Sequence, residues 1–272
     1  MARRGLFPLV LFFVIVPLLQ VLVFLYLQTG GWQHYFVLTP TPGLVNLFLQ
    51  NYTQLRLWQI FANLIPYLVV LSLIFIVRGK VRWFYRDMAL IFLVLPFIIS
   101  LAILAVYRYL LHASVLYTYG FSGIDAALLG YLVCLFVGYI DRSLRGTVPR
   151  YLFVYGIIGI NFGAILLTYA KNPWGFLVLL VGVAFLFIKN SWVGPLFDRV
   201  KGGFGADSAL ILQHVLFCAF SVLAIFFYLP LMQIAVGGIG PADVTAHLSG
   251  YLFGLILGST MLSTRGRNGT RG

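Results

Sequence analysis

The 272-residue chain has no glutamate, and its only carboxylates are six aspartates. Charged residues of both signs make up 9% of it, too few to solvate the surface of a water-soluble domain of this length. There are two cysteines, Cys134 and Cys218, and both fall inside apolar runs. That excludes a disulfide framework and makes them small core residues. No set of His, Cys and Asp has metal-ligand spacing, and no glycine-rich loop follows a strand to cradle phosphate. Neither a metal nor another cofactor is expected.

What fills the chain is apolar: 62% hydrophobic and 17% aromatic residues, with a mean hydropathy of +1.02. A soluble fold cannot hide that much apolar surface, so lipid is the expected solvent. The formal charge of +12 would suggest nucleic acid in a soluble protein. Here the basic residues sit between apolar runs, where topology signals belong, and no long basic tail argues for a nucleic-acid partner.

Apolar stretches of about 17–25 residues are long enough to cross a bilayer as helices. Eight fit, at 6–28, 57–77, 87–110, 122–140, 151–170, 174–189, 208–228 and 244–263, the sixth being the shortest. The first follows Arg3 and Arg4 but is too long for a signal peptide and lacks a small-residue cleavage site, so it reads as a retained span. With the N-terminus inside, fifteen of the eighteen Lys+Arg fall on inside segments, and only Arg56, Arg108 and Lys171 lie outside. That bias predicts an all-α polytopic bundle, N-in and C-in, built as one domain over residues 1–272.

Three connections stand apart. Residues 29–55 carry Trp32, His34, Tyr35, Phe36 and Phe48, a composition suited to the membrane interface. Residues 190–207 carry Trp192, Phe197 and Phe204 beside charges and are expected on the membrane surface. Residues 229–243 include the flexible Gly237-Gly238-Ile239-Gly240-Pro241.

In this topology the second, fourth and eighth spans all run from outside to inside. Gln59 and Asn63 lie in the first two turns of the second, Ser122 opens the fourth, and His247 falls in the first turn of the eighth. At a helical rise of 1.5 Å per residue, all four lie within about 10 Å of the outer helix ends. Small residues recur every four positions on the fourth span, at Ser122, Ala126, Gly130, Cys134 and Gly138. On the eighth, His247, Gly250, Gly254 and Gly258 share a face. Such stripes let helix backbones approach closely in lipid and would bring Ser122 and His247 together if they faced each other. Packing alone explains the glycines but not the histidine, and an ionisable residue inside a span marks a functional site by default. Asp125, one turn below Ser122, is expected to have a structural or tuning role. His34 and His112 read as surface residues. His214, in the seventh span, has no serine at a matching depth.

Gly120-Phe121-Ser122-Gly123 and Ala246-His247-Leu248-Ser249-Gly250-Tyr251-Leu252-Phe253-Gly254 resemble the GxSG and AHxxGxxxG motifs of the rhomboid family of intramembrane serine proteases. Gln59-Ile60-Phe61-Ala62-Asn63 stands where that family carries HxxxN, with glutamine in place of the histidine. The Trp-Arg signature of the family's first outer loop is absent. The resemblance implies a rhomboid-like bundle in which Ser122 is the nucleophile and His247 the general base. It also implies an oxyanion site formed by Asn63 and Gln59 with the Ser122 amide, and helix packing through Gly123, Gly130, Gly250, Gly254 and Gly258. The implied partners are the lipid bilayer and transmembrane segments of other proteins, which would be the substrates. Ser122 and His247 are 125 residues apart, with three spans between theirs where the family has one. Two extra spans are therefore implied within 151–228. A prokaryotic cytoplasmic membrane fits the chain, with the site toward the external side.

Two other functions compete. A catalytically inactive rhomboid-like protein that binds transmembrane segments fits the Gln59 substitution and the extra spans, though not the retention of Ser122 and His247. A transporter would be expected to carry broken helices or midplane charges, of which there is little beyond Asp125.

Overall fold

The computed structural model describes residues 10–30, 33–78, 81–112, 118–143, 148–168, 171–188, 216–225 and 241–264. Among these the only β-structure is an isolated antiparallel bridge between Leu38 and Thr118; the rest is helix and short connection. The helices are α1 (Val16–Gln28, preceded by a π turn Leu11–Ile15), α2 (Leu44–Leu49), α3 (Leu57–Arg78), α4 (Val81–Ala89) and α5 (Leu95–Ala105). They continue with α6 (Ser122–Ser143), α7 (Arg150–Thr168), α8 (Trp174–Phe187), α9 (Leu216–Ile225) and α10 (Pro241–Thr264). The π turn Leu90–Val94 joins α4 to α5 in one rod.

Among the described residues, five helical stretches are long and apolar enough to cross a membrane: Leu11–Gln28, Leu57–Val77, Trp83–Leu110, Ser122–Arg142 and Arg150–Leu167. Trp174–Phe187 and Leu216–Ile225 are apolar but shorter. The protein is thus a helical membrane protein, and the five long apolar stretches coincide with the first five of the eight expected spans. His214, Trp32, the segment 190–207 and Gly237–Gly240 lie outside the described residues.

The chain forms two compact units. The first comprises Met1–Tyr131 and Gly238–Leu257, and the second Leu132–Gly237 and Gly258–Gly272. In the first, α3 shows its sorting plainly. Ile60, Asn63, Tyr67, Val70, Leu71 and Ile74 are buried, while Leu57, Phe61, Ile65 and Ile76 are exposed. An apolar exposed face on a helix of this length is what a lipid solvent permits.

Two tyrosines repair backbone gaps left by prolines. In the opening π turn, the Val16 amide donates to Leu11 O, and the next nitrogen in line belongs to Pro17, which has no hydrogen to give Phe12 O. Tyr67 fills the gap, its hydroxyl donating to Phe12 O at 2.7 Å. Pro96 likewise withholds a hydrogen from Phe92 O one turn earlier, and the Tyr52 hydroxyl donates there instead. Burial pushes the Tyr52 phenol well above its ordinary pKa, so it remains a donor. Tyr67→Phe should therefore strand a buried carbonyl and destabilise the protein by about 1–3 kcal/mol, read as a lowered unfolding midpoint in detergent.

The connection 33–56 is a folded cap, not a loose interfacial loop. Asn51 Nδ2 donates to Leu47 O, Pro96 O and Ser100 Oγ, and Gln50 Nε2 donates to Ser100 Oγ at 2.8 Å. This network ties the cap to α5 below it. Leu44 and Val45, on the other side of α2, stay exposed, as the interfacial reading of this segment requires.

The second unit is dominated by a hairpin of α7 and α8. Asn172 turns the chain, its Oδ1 accepting from the Trp174 amide at 3.0 Å. A Cβ on Gly163 would fall 2.7 Å from Gly175 O, and one on Gly182 would fall 2.8 Å from Gly156 O. The two helices therefore interlock backbone against backbone along Gly156, Gly159 and Gly163 on one and Gly175 and Gly182 on the other. Near the far end of α6, Asp141 accepts from Arg150 Nε at 2.5 Å and from the Val148 amide at 3.2 Å. Phe217 of α9 lies against Tyr139, their centroids 4.6 Å apart.

Candidate active site

The start of α6 is held by the cap and by an aromatic cluster. Gly120 has φ +146°, a conformation that side chains disfavour, and its amide donates to Gln50 O at 2.9 Å. Phe121 is fully buried, with ring centroids 5.9 Å from Tyr52, 5.5 Å from Tyr67 and 6.3 Å from Phe92. This anchors the residue immediately before Ser122. Ser122 is then the first residue of α6, half-buried. The amides of Ile124 and Asp125 both donate to Phe121 O, which leaves those of Ser122 and Gly123 without an intrahelical acceptor. A hydroxyl at a helix N-terminus, beside two unused backbone donors, is well placed for a reaction that develops negative charge.

α10 packs on α6 in the same direction. A Cβ built on Gly123 would lie 3.2 Å from Ala246 O and 3.5 Å from Ala246 Cβ. One on Gly250 would meet Gly123 O at 2.0 Å, one on Gly130 would meet Tyr251 O at 2.2 Å, and one on Gly254 would meet Ala127 O at 1.9 Å. At Gly130, Gly250 and Gly254 the crowding atoms are backbone and only glycine fits, whereas a Cβ on Gly123 requires the Ile99 side chain, 2.7 Å away, to move. The seam departs from the stripe expected on sequence. On α6 it runs through Gly123, Ala127, Gly130 and Tyr131, sharing Gly130 but not Ser122 or Ala126 with the expected row, and on α10 through Ala246, Gly250 and Gly254. The physical reason is that α6 offers a second row of small residues one position along, Gly123 and Ala127, whose carbonyls Gly250 and Gly254 admit to close contact. Ser122 and His247 each sit one residue to the side of the Gly123–Ala246 contact. Gly258, a further turn along α10, is buried.

His247 is half-buried. Among the described residues no hydrogen bond joins it to Ser122.

Asn63 is buried on α3, one turn before Tyr67, whose ring lies on Phe121. Asn63 and Tyr67, four residues apart, share a face of α3, and the Asn63 Oδ1 has no hydrogen-bond partner among the described residues. Gln59 has a local task. Its Oε1 accepts from the amides of Leu55 and Arg56 at 3.3 and 3.2 Å, capping α3 from the third helical position. Only its amide nitrogen is left for a ligand. Asp125 is buried directly below Ser122. His34 and His112 are exposed. Among the described residues no group of three His, Cys, Asp or Glu could hold a metal ion.

The sequence reading missed the tyrosines that plug proline-orphaned carbonyls, although Pro17 and Pro96 marked where donors would be wanted. It also missed the cap on α3, although glutamine at the third position of a helix is itself a capping signal.

The chain matches no protein-family model, no curated protein and no solved structure.

Proposed function

We propose that the protein is an intramembrane serine endopeptidase that cleaves transmembrane segments of other membrane proteins with a Ser122–His247 dyad. The observation that carries this reading is the glycine seam, in which Gly123 and Ala246, the sequence neighbours of Ser122 and His247, approach each other closely. The motif resemblance and the place of Ser122 at the N-terminus of α6 support it further.

In this reading His247 accepts the Ser122 hydroxyl proton as the oxygen attacks a substrate carbonyl, and returns it to the leaving amine. Water then attacks the acyl-enzyme with the same base. The unused amides of Ser122 and Gly123 and the Asn63 side chain stabilise the oxyanion, with Gln59 Nε2 as a further donor. Eight spans with both termini inside put the site near the external end of the bundle, where water enters and a locally unwound substrate presents its backbone. The α7–α8 hairpin, held together by its own glycines, is the pair added to a six-span plan. The setting is a prokaryotic cytoplasmic membrane.

A second reading, a rhomboid-like protein that binds transmembrane segments without cutting them, is favoured by the open Ser122–His247 pair and by Gln59's capping role. A fluorophosphonate probe separates the two. The protease reading predicts labelling of the folded wild type that is lost in Ser122→Ala and falls at least about a hundredfold in His247→Ala. A folded wild type that does not label would establish the silent reading instead.

A further inference from the structure

We propose that Asp87 and Tyr131 are positioning residues that fix the rotation of α6 and hence the aim of Ser122; this rests on the reading of Ser122 as a nucleophile. Tyr131 belongs to the seam, since its amide nitrogen would lie 2.8 Å from a Cβ on Gly254. Its fully buried side chain leaves the seam on the α4 side, where the hydroxyl donates to Asp87 Oδ2 at 2.5 Å. Asp87 is itself fully buried, and its other oxygen takes two bonds from Arg86, at 3.0 Å from Nε and 2.8 Å from Nη2. The Arg86 guanidinium lies over the Trp83 ring, 4.4 Å from its centroid. A buried carboxylate held on both oxygens is a rigid, directional post.

The seam explains why such a post is needed. Contact through Gly123, Ala127, Gly130, Gly250 and Gly254 is backbone on backbone, with no interdigitating knobs, so it fixes the distance between α6 and α10 better than the rotation of either. Phe121 in its aromatic cluster holds one end of α6. Ten residues on, about 15 Å along the axis, Tyr131 on Asp87 holds its middle. A side-chain atom stands about 5–6 Å from a helix axis, so a 20° turn would carry Ser122 Oγ about 2 Å. Misplacement of 1 Å is enough to cost on the order of a hundredfold in rate.

The test uses the full chain in lipid vesicles, with saturation kinetics of a fluorophosphonate probe separating the maximal rate of Ser122 modification from probe affinity. Tyr131→Phe and Asp87→Ala should each lower the maximal rate about ten- to a hundredfold, with affinity within about twofold. Asp87→Asn, whose Oδ1 still accepts from Tyr131, should recover part of the loss. An unchanged maximal rate in Tyr131→Phe, beside a wild type that labels, would overturn the positioning role. So would a loss that follows the unfolding midpoint across all three variants with no rescue by asparagine. A wild type that does not label overturns the dyad, and the positioning role falls with it.

Discussion

Gly254→Ala should disable the protein more severely than any other single-methyl change in the first unit. The added carbon would sit 1.9 Å from Ala127 O and 2.8 Å from the Tyr131 amide nitrogen. Both are backbone atoms, so no side chain can swing aside, and α10 must move off α6 by more than 1 Å. Overpacking of this kind costs about 1–3 kcal/mol. The shift would also pull His247 away from Ser122, lowering kcat/KM about a hundredfold or more even in molecules that remain folded. Gly250→Ala, 2.0 Å from Gly123 O, should act alike. Gly43→Ala is the matched control, since its carbon would meet only the Asn46 side-chain oxygen at 3.4 Å. The checks are turnover of a membrane-embedded reporter substrate in vesicles and the unfolding midpoint in detergent. Equal activity of Gly254→Ala and Gly43→Ala would remove the seam from the mechanism.

Asn63→Ala should lower kcat about a hundred- to a thousandfold with KM nearly unchanged, the pattern left by losing a donor used only in the transition state. Stability argues in the same direction. Asn63 Oδ1 is buried without a partner among the described residues, so its removal relieves an unsatisfied polar atom, and the folded state should be no weaker for it. Gln59→Ala should behave oppositely. It removes the bonds to the Leu55 and Arg56 amides, and the cap is worth about 1 kcal/mol. A fall in kcat for Gln59→Ala as large as that for Asn63→Ala would show the glutamine to be a principal oxyanion donor as well.

Much of the fold was legible because lipid imposes a simple rule on sequence. A helix must be apolar for its whole length, and stretches such as 57–77 and 122–140 announce themselves against connections rich in arginine. The close approach of α6 and α10 was also legible, because Gly250 and Gly254 have few uses four residues apart in a span except to admit another backbone. Which row of α6 they meet was not. Ser122–Ala126–Gly130 and Gly123–Ala127 are both rows of small residues, and only the partner's shape selects between them. The plugs at Phe12 O and Phe92 O escape sequence reading for a related reason. Proline shows which carbonyl lacks a donor, but the tyrosine that supplies one comes from 55 residues away in one case and 40 in the other. Asp87 and Tyr131 are hidden likewise, since 44 residues separate them and neither belongs to a motif.

The most direct measurement is a disulfide between α6 and α10 at the level of the dyad. With Cys134 and Cys218 replaced by serine, Gly123→Cys and Ala246→Cys are introduced together and oxidised in native membranes. The Cβ positions are 3.5 Å apart, within disulfide range; the nearest crowding atom is the flexible end of Ile99 at 2.7 Å, and Ala246 O at 3.2 Å must give by a few tenths of an ångström. An intramolecular bond that forms rapidly and in high yield, while Gly123→Cys paired with a cysteine on the exposed face at Leu248 stays reduced, is the predicted result. If Gly123→Cys and Ala246→Cys remain unlinked under oxidation in a folded protein, α6 and α10 do not cross beside Ser122, and a Ser122–His247 dyad is contradicted.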